Sequence, residues 1–273
     1  MSQRAILHAV YAAKDRRKLK PKQKVAAYVA RPPIGAEMSY TSALRRAWDE
    51  SSIEIARIVE SELRPLTESP ERTDADPVAA IVERVRVALA SSLAVEKIIA
   101  MAAAIHERVN RFNLREVAAS LVVSPQLLPN LRDASAMWVA ENANLITGMS
   151  DEVLDDLAAR LRNEWARGAR WEDISALVQD RLGVGRARAE LIARDQVGKL
   201  NADMTRERQR AVGVTRYKWS TSRDERVRES HRHLEGSIQT WANPPIVDPR
   251  TGRRDHPGRD FQCRCVAIPV FDD

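Results

Sequence analysis

The chain has little of several features that define large protein classes. Only two of its 273 residues are cysteines, and aromatic residues make up 5%. A disulfide between Cys263 and Cys265, which stand one residue apart, would close a small strained ring. This spacing argues against a disulfide-stapled secreted scaffold and favours free thiols or metal ligands. No uncharged apolar run approaches the roughly 20 residues that span a bilayer.

The pattern of a secretory signal is also missing. The first apolar stretch, 5–13, is short, and its basic residues follow it instead of preceding it. We therefore expect a cytoplasmic protein without a membrane partner. The length suffices for one large domain or two smaller ones, each able to bury a core.

What the chain does have is charge concentrated at one end. Its formal net charge is +6, but residues 1–24 hold eight cations and one acid, which leaves −1 for the rest. Such arms commonly bind polyanions by neutralising phosphates, so the arm predicts binding to a polyanion such as a nucleic acid. The alternative is a solvated tail that aids solubility. The expected nucleic-acid-binding residues are Lys14, Arg16, Arg17, Lys18 and Lys20.

The section after the arm has a helical pattern with almost no strand signal. Apolar residues from Leu44 to Leu63 recur at helical spacing and predict one buried face. Pro65 predicts the end of this helix, and Pro77 predicts the start of a long helical region that is rich in Ala, Val and Leu.

Two further signals divide the helices. Asn113, with Glu116 three residues later, has the spacing of a capping box and predicts a new helix over 114–123. Additional helices are predicted over 132–144, 151–166 and 172–182. Gly183 and Gly185 then predict a break before a helix over 186–212, which Gly213 ends.

Beyond Gly213 the pattern becomes mixed. Residues 214–221 have the β-branched and aromatic content of a strand. Residues 265–271 predict a second strand, which Pro269 restricts to an edge position. A long loop, 238–262, is predicted between them. The expected fold class is therefore mainly α, with a helical body and a small α+β C-terminal module.

The C-terminal third resembles the phage Mu F-like head morphogenesis family. The resemblance follows an ordered set of motifs: an IAR that opens a long helix, a G-V-x-x-x-x-W strand, DERVR, L-x-G and a terminal CRC before a short apolar strand. With the upstream segments FNLREV and MWVAENANLI, it covers roughly 112–270. The expected domains are a basic arm and linker over 1–40, an α-helical domain over 41–182 and a Mu F-like domain over 183–273.

This resemblance implies a function that composition and periodicity do not reach. It implies a structural, non-enzymatic minor head protein of a bacteriophage, associated with the portal protein and the capsid shell. Such a protein assists capsid assembly and DNA packaging or ejection. It would reside in the phage head interior or at the portal vertex, and in the host cytoplasm during assembly.

The chain departs from the family at a set of cysteines. Many members carry C-x-x-C directly after the DER element, which with the CRC completes a four-thiolate set. Here Arg228 and His231 occupy those two positions. Histidine is also a good zinc ligand. The expected structural zinc site therefore comprises His231, His256, Cys263 and Cys265, with His233 as a substitute for His256.

The alternative to a metal is a polar cluster in which His231 hydrogen-bonds to the CRC segment. Both interpretations require His231 to lie close to Cys263 or Cys265. Asp224, Glu225 and Arg226 are interpreted as a structural ion-pair and capping element, although they could also be read as a catalytic cluster.

Two other functional classes compete with the structural one. A metal-dependent nuclease or hydrolase would be built on His231, His233, Glu235 and the CRC segment. However, two thiolates favour structural zinc, and no H-E-x-x-H, G-x-S-x-G or phosphate-binding glycine loop is present. A sequence-specific DNA-binding regulator would need a recognition helix, and the charge lies instead on the arm.

Overall fold

The computed structural model describes residues 31–69, 76–131 and 135–271. It confirms the expected fold class, because long helices dominate and the short strands lie near the C-terminus. The helices are α1 (Ile34–Glu68), α2 (Val78–Ser92), α3 (Val95–Leu121), α4 (Ser135–Ala166), α5 (Trp171–Ala211) and the one-turn α6 (Glu229–Arg232). A 3₁₀ turn covers Pro125–Leu127.

The strands form two small antiparallel sheets. They are β1 (Arg216–Ser220), β2 (Ile238–Thr240), β3 (Ile246–Asp248), β4 (Arg253–Arg254) and β5 (Val266–Val270). The larger sheet has the order β2-β1-β5, and β3 pairs with β4. The predicted edge position of the last strand is confirmed, with Pro269 opposite Tyr217 in the register. The predicted loop over 238–262 is wrong in part, because it contains the three short strands.

The chain divides into two compact units. The helical unit comprises residues 38–104 and 137–194, and the terminal unit comprises the described residues within 1–37, 105–136 and 195–273. Periodicity predicted the buried face of α1 correctly, since Leu44, Trp48, Ile55, Val59 and Leu63 are all buried. The domain boundaries expected from the sequence stay a prediction.

Four predicted helix breaks are wrong. The gap predicted between the helices over 132–144 and 151–166 does not exist, because the single helix α4 runs through it. Pro65 lies inside α1, only three residues before its end. Asn113 lies inside α3, where its amide points into the terminal unit and donates to the carbonyl of Asn201 at 3.0 Å. Gly183 and Gly185 both lie inside α5. Gly213 does end that helix, with a positive φ of 81° that glycine adopts without strain.

One helical stretch of the described residues, Val78–Leu121, contains a segment that is long and apolar enough to cross a membrane by length and composition. Core helices pass the same test, and the stretch is interrupted between α2 and α3. It contributes Val85, Leu89 and Ile98 to the buried core. The expectation of no membrane partner stays a prediction.

The core of the C-terminal module contains both cysteines. Buried residues packed together there are Tyr217, Trp219, Trp241, Val247, Cys263, Cys265 and Ala267. Strand alternation explains this arrangement, since Tyr217 and Trp219 share one face of β1 and Ala267 opposes Trp219 on β5. The thiols are therefore held by a packed apolar core, as is required of a precise ligand site.

Candidate metal centre

His231 is the residue that joins the helical turn α6 to the two cysteines. It is buried, and its ring stands edge-on to Trp219 with the centroids 5.6 Å apart. Its Nδ1 lies 3.5 Å from the Sγ of Cys263 and 3.6 Å from the Sγ of Cys265. The proximity that both interpretations of the sequence require is therefore confirmed.

The segment 258–265, which we call the CRC turn, is built so that backbone amides face the sulfur of Cys263. The amides of Gly258 and Cys265 each donate to this Sγ at 3.4 Å. Gly258 has a φ of 86°, and a β-carbon there would fall 2.9 Å from the Cβ of Ala202 on α5. Only glycine fits this approach. From the same helix, the Asp195 carboxylate accepts the amide of Gln262 at 2.8 Å and helps to fix the turn.

The two nitrogen–sulfur distances of the cluster fit a tetrahedral zinc ion. These atoms of His231, Cys263 and Cys265 all lie within 4.8 Å of one another. With Zn–S near 2.3 Å and Zn–N near 2.0–2.1 Å, ligand atoms at tetrahedral angles are about 3.5 Å apart. The two measured N···S distances match this value, so the residues present can hold zinc through two sulfurs and one imidazole nitrogen.

The other nitrogen of the His231 ring faces a buried carboxylate. Asp260 Oδ2 lies 3.1 Å from Nε2. Asp260 also contacts the guanidinium groups of Arg228, at 3.1 Å, and Arg253. Sequence reasoning missed Asp260. The only signal for it is general, because metal-binding histidines commonly give their second ring nitrogen to a carboxylate.

Without a metal, the side chains of the cluster shift one another's pKa values. Burial works against the charged imidazole, but Cys263 and Asp260 outweigh it and hold the pKa of His231 above its ordinary value. A hydrogen bond from Cys265, helped by His231, lowers the pKa of Cys263 despite burial. The same bond and burial raise the pKa of Cys265. The metal-free cluster therefore favours one thiolate, and Cys265 keeps its proton.

The structure does not bring His256, the expected fourth ligand, into this group. Its Nδ1 lies 2.9 Å from the hydroxyl of Tyr217, and its ring packs against Trp241 with the centroids 4.8 Å apart. Burial, assisted by Arg206, lowers the pKa of His256 to about 4. The substitute ligand His233 is exposed. Among the described residues, the group with ligand spacing comprises His231 and the two cysteines.

The DER element connects to the cysteines through an ion pair. The carboxylate of Asp224 lies 2.6 Å from the guanidinium of Arg264, the residue between the two cysteines. Asp224 Oδ1 also accepts the amide of Arg226 at 3.0 Å, and the carbonyl of Glu225 accepts from Arg232 at 3.0 Å. These contacts organise the turn that leads into α6.

A groove of about 480 Å³ lies beside the cluster. Its lining includes Arg228, Arg253, His233, Phe261 and the buried Asp260. Asp260 therefore forms part of the wall between the groove and His231. The predicted nucleic-acid-binding residues Lys14, Arg16, Arg17, Lys18 and Lys20 lie outside the described residues.

The comparisons with known proteins support the resemblance in the C-terminal half. The family model for Phage Mu protein F like protein matches residues 155–268. An uncharacterized protein of Haemophilus influenzae (strain Rd) is 41% identical over 145 residues, which cover 53% of this chain and 31% of that protein. The chain thus spans about a third of that relative's length. No solved structure matches the chain.

The chain is therefore a mainly helical protein with a small C-terminal α+β module that contains the Cys/His cluster. Within it, residues 155–268 are a phage Mu F-like region, and the resemblance stated from the sequence is confirmed for that part of the chain. The cluster of His231 and the two cysteines lies inside this region, because the match extends through the CRC and into β5.

Proposed function

We propose that the chain is a bacteriophage minor head protein that associates with the portal and assists capsid assembly and the packaging or ejection of DNA. The observation that carries this proposal is the family match over 155–268. That match supports the coarser assignment to phage head morphogenesis. The portal, the capsid shell and the DNA are the partners that the proposal adds.

A structural role is favoured over catalysis by the burial of the cluster. His231, Cys263 and Cys265 are each less than a tenth exposed. Hydrolytic zinc needs an open coordination position that a substrate or water can reach. Closed structural zinc sites have four protein ligands, and the cluster supplies three, so the preference for a structural role rests on the burial that keeps a substrate from the fourth position.

Association with the portal can be tested by co-expression. The full chain and the portal protein encoded by the same phage are purified through a tag on the portal and separated by size exclusion. We expect the chain to comigrate with portal oligomers. A matched sample of the chain with the major capsid protein reports binding to the shell. Migration as free chain in both samples contradicts the proposed partners.

The second part of the proposal is that the C-terminal module binds one structural zinc ion. Zinc would link α6 to the CRC turn and stabilise a module whose strands are only two to five residues long. Elemental analysis of the purified full chain is expected to give one zinc per chain. His231→Asn should lose it, whereas His233→Asn, a change at an exposed histidine, should keep it.

The same samples distinguish the alternatives. A wild-type chain without zinc, even after reconstitution in reducing buffer, supports the metal-free cluster of His231 with the two cysteines. Cleavage of DNA or ester substrates by the zinc-loaded chain, lost in His231→Asn, supports the nuclease or hydrolase alternative. The structural proposal expects no turnover.

A further inference from the structure

The buried carboxylate of Asp260 accepts hydrogen bonds from several segments around the metal centre. Asp260 is 4% exposed, and its Oδ2 lies 3.1 Å from both His231 Nε2 and Arg228 Nη1. Its Oδ1 accepts the amide of Phe261 at 2.6 Å and contacts the Arg253 guanidinium. These four donors come from α6, the turn before it, β4 and the CRC turn. Each of these segments is therefore tied to the same side chain.

We propose that Asp260 is the positioning residue of the metal centre, holding the His231 ring so that Nδ1 faces both sulfurs, with Arg228 and Arg253 holding Asp260 in turn. This inference rests on the proposed zinc site. A carboxylate that accepts a hydrogen bond from Nε2–H keeps the proton on Nε2 and leaves the lone pair on Nδ1, which is the nitrogen that a metal needs. The ring orientation is set as well, since His231 cannot turn without breaking this bond.

Arg228 gains a specific role from this arrangement. It stands where the resemblance places the first family cysteine, so this chain lacks a thiolate at that position. Its Nη1 binds Asp260, and its Nη2 donates to the carbonyl of Phe261 at 2.6 Å. Arg228 thus clamps the segment that leads into Cys263. Where many family members have a cysteine, this chain therefore has Arg228, which acts on the ligand His231 through Asp260.

Arg228 and Arg253 also explain how the charged carboxylate of Asp260 can be buried. An ionised carboxylate inside a protein is costly unless cations and hydrogen bonds compensate it. Arg228 and Arg253 are about half exposed, so they keep part of their hydration while their heads contact Asp260. Arg253 lies on β4, so the position of the β3–β4 hairpin is coupled to the metal centre.

The test compares the metal affinity of folded variants. Zinc dissociation constants are measured by competition with a chromophoric chelator for the wild-type full chain, Asp260→Asn and the control Asp248→Asn. Asp248 lines the same groove and pairs with Arg250, but it does not contact His231. We expect Asp260→Asn to weaken zinc binding about 10- to 100-fold, the usual effect of losing such a partner, and Asp248→Asn to leave it unchanged.

Cobalt substitution adds a readout that a purely structural role would not move. Visible absorption of the Co²⁺-loaded chain reports the geometry of the ligand atoms. We expect Asp260→Asn to change this spectrum and Asp248→Asn to preserve it. Arg228→Met, which removes the clamp but keeps an aliphatic stem, should weaken zinc binding by a smaller factor. It also tests the claim if Asp260→Asn fails to fold.

The outcomes separate this inference from the zinc proposal. A wild-type chain that binds no zinc or cobalt overturns both. If the wild-type chain binds both metals, and Asp260→Asn or Arg228→Met binds them with equal affinity and gives an unchanged cobalt spectrum, only the positioning role is overturned. In that case Asp260 merely ties the segments of the module together.

Discussion

Gly185 on α5 lies directly against the indole of Trp48 on α1. A β-carbon at residue 185 would fall 2.0 Å from Cζ2 of that ring. The ring cannot retreat easily, because it is 1% exposed and its Nε1 donates to the carbonyl of Leu182 at 2.9 Å. Glycine at 185 therefore permits close helix packing within the helical unit.

We expect Gly185→Ala to destabilise the chain by about 1–3 kcal/mol, the usual cost of overpacking a core. The matched control is Gly183→Ala, two residues earlier on the same helix, where a β-carbon meets nothing within 4 Å. That change should stabilise the chain by about 0.5–1 kcal/mol, because alanine favours the helix over glycine. Urea unfolding of both variants checks the opposite signs. Two stabilising changes would show that Trp48 moves aside.

These glycines show where sequence reasoning fails. Periodicity predicts faces, because one side of a helix repeats every 3.6 residues, and it placed Leu44 to Leu63 correctly. In a sequence, a glycine can mark either a helix break or a position where another segment packs closely. The packing partner decides between these two interpretations, and here that partner, Trp48, is more than a hundred residues away.

The cluster of His231 and the two cysteines could likewise be predicted from the sequence only in part. The ordered motifs were enough to predict that His231 meets Cys263 and Cys265. They were not enough to place His256 or to find Asp260, because both depend on how the loop after β2 folds back. Asn113 was predicted as a cap from local spacing, but its partners Asn201 and Arg208 lie on another helix.

Arg208 is a buried cation with neutral partners. Burial lowers its pKa to about 10, and its guanidinium contacts the side-chain oxygens of Asn113, at 2.5 Å, and Asn110. In the part of the chain that the structure describes, no carboxylate forms an ion pair with it. Hydrogen bonds to a buried charge contribute about 1.5–3 kcal/mol each. The amide oxygens of Asn110 and Asn113 therefore carry much of its stabilisation.

We expect Asn110→Leu to destabilise the chain by about 2–3 kcal/mol, because it removes one acceptor without changing the volume greatly. Asn110→Asp keeps the acceptor and supplies the missing opposite charge, so it should retain the stability of the wild type at neutral pH. The free energy of unfolding in urea measures both. Equal stability of Asn110→Leu and the wild type would mean that Arg208 finds other partners.

His256 predicts a pH dependence. Its pKa is about 4 in the folded chain, against an ordinary 6.5, so between these values the unfolded chain binds more protons. The contribution of neutral His256 is complete above about pH 6.5 and is lost as the pH falls towards 4. Its size is at most about 3 kcal/mol. Asp255 opposes the shift, and Arg259 adds to it.

His256→Gln should flatten this dependence, because glutamine keeps a hydrogen-bonding group near Tyr217 but does not titrate. His233→Gln, at an exposed position, should leave the dependence unchanged. Chemical unfolding is measured at intervals between pH 4 and 7. Equal slopes for His256→Gln and the wild type would contradict the assignment.

The basic arm should give DNA binding that is sensitive to salt and insensitive to sequence. Replacing Lys14, Arg16, Arg17, Lys18 and Lys20 by glutamine should abolish most DNA retention at low salt and reduce the salt slope, because fewer counterions are released. A control arm with residues 1–24 in shuffled order should still bind. Unchanged binding by the glutamine variant would make the arm a solubility or portal-docking element.

The central claim is that this chain is a component of a phage head. Quantitative mass spectrometry of purified proheads and virions, from the phage that encodes the chain, tests this claim most directly. Prohead preparations from a strain with the coding sequence deleted provide the background. We predict that the chain is present in proheads or virions at low copy relative to the major capsid protein. Its absence from both particles, with normal levels in the infected cell, would contradict the account.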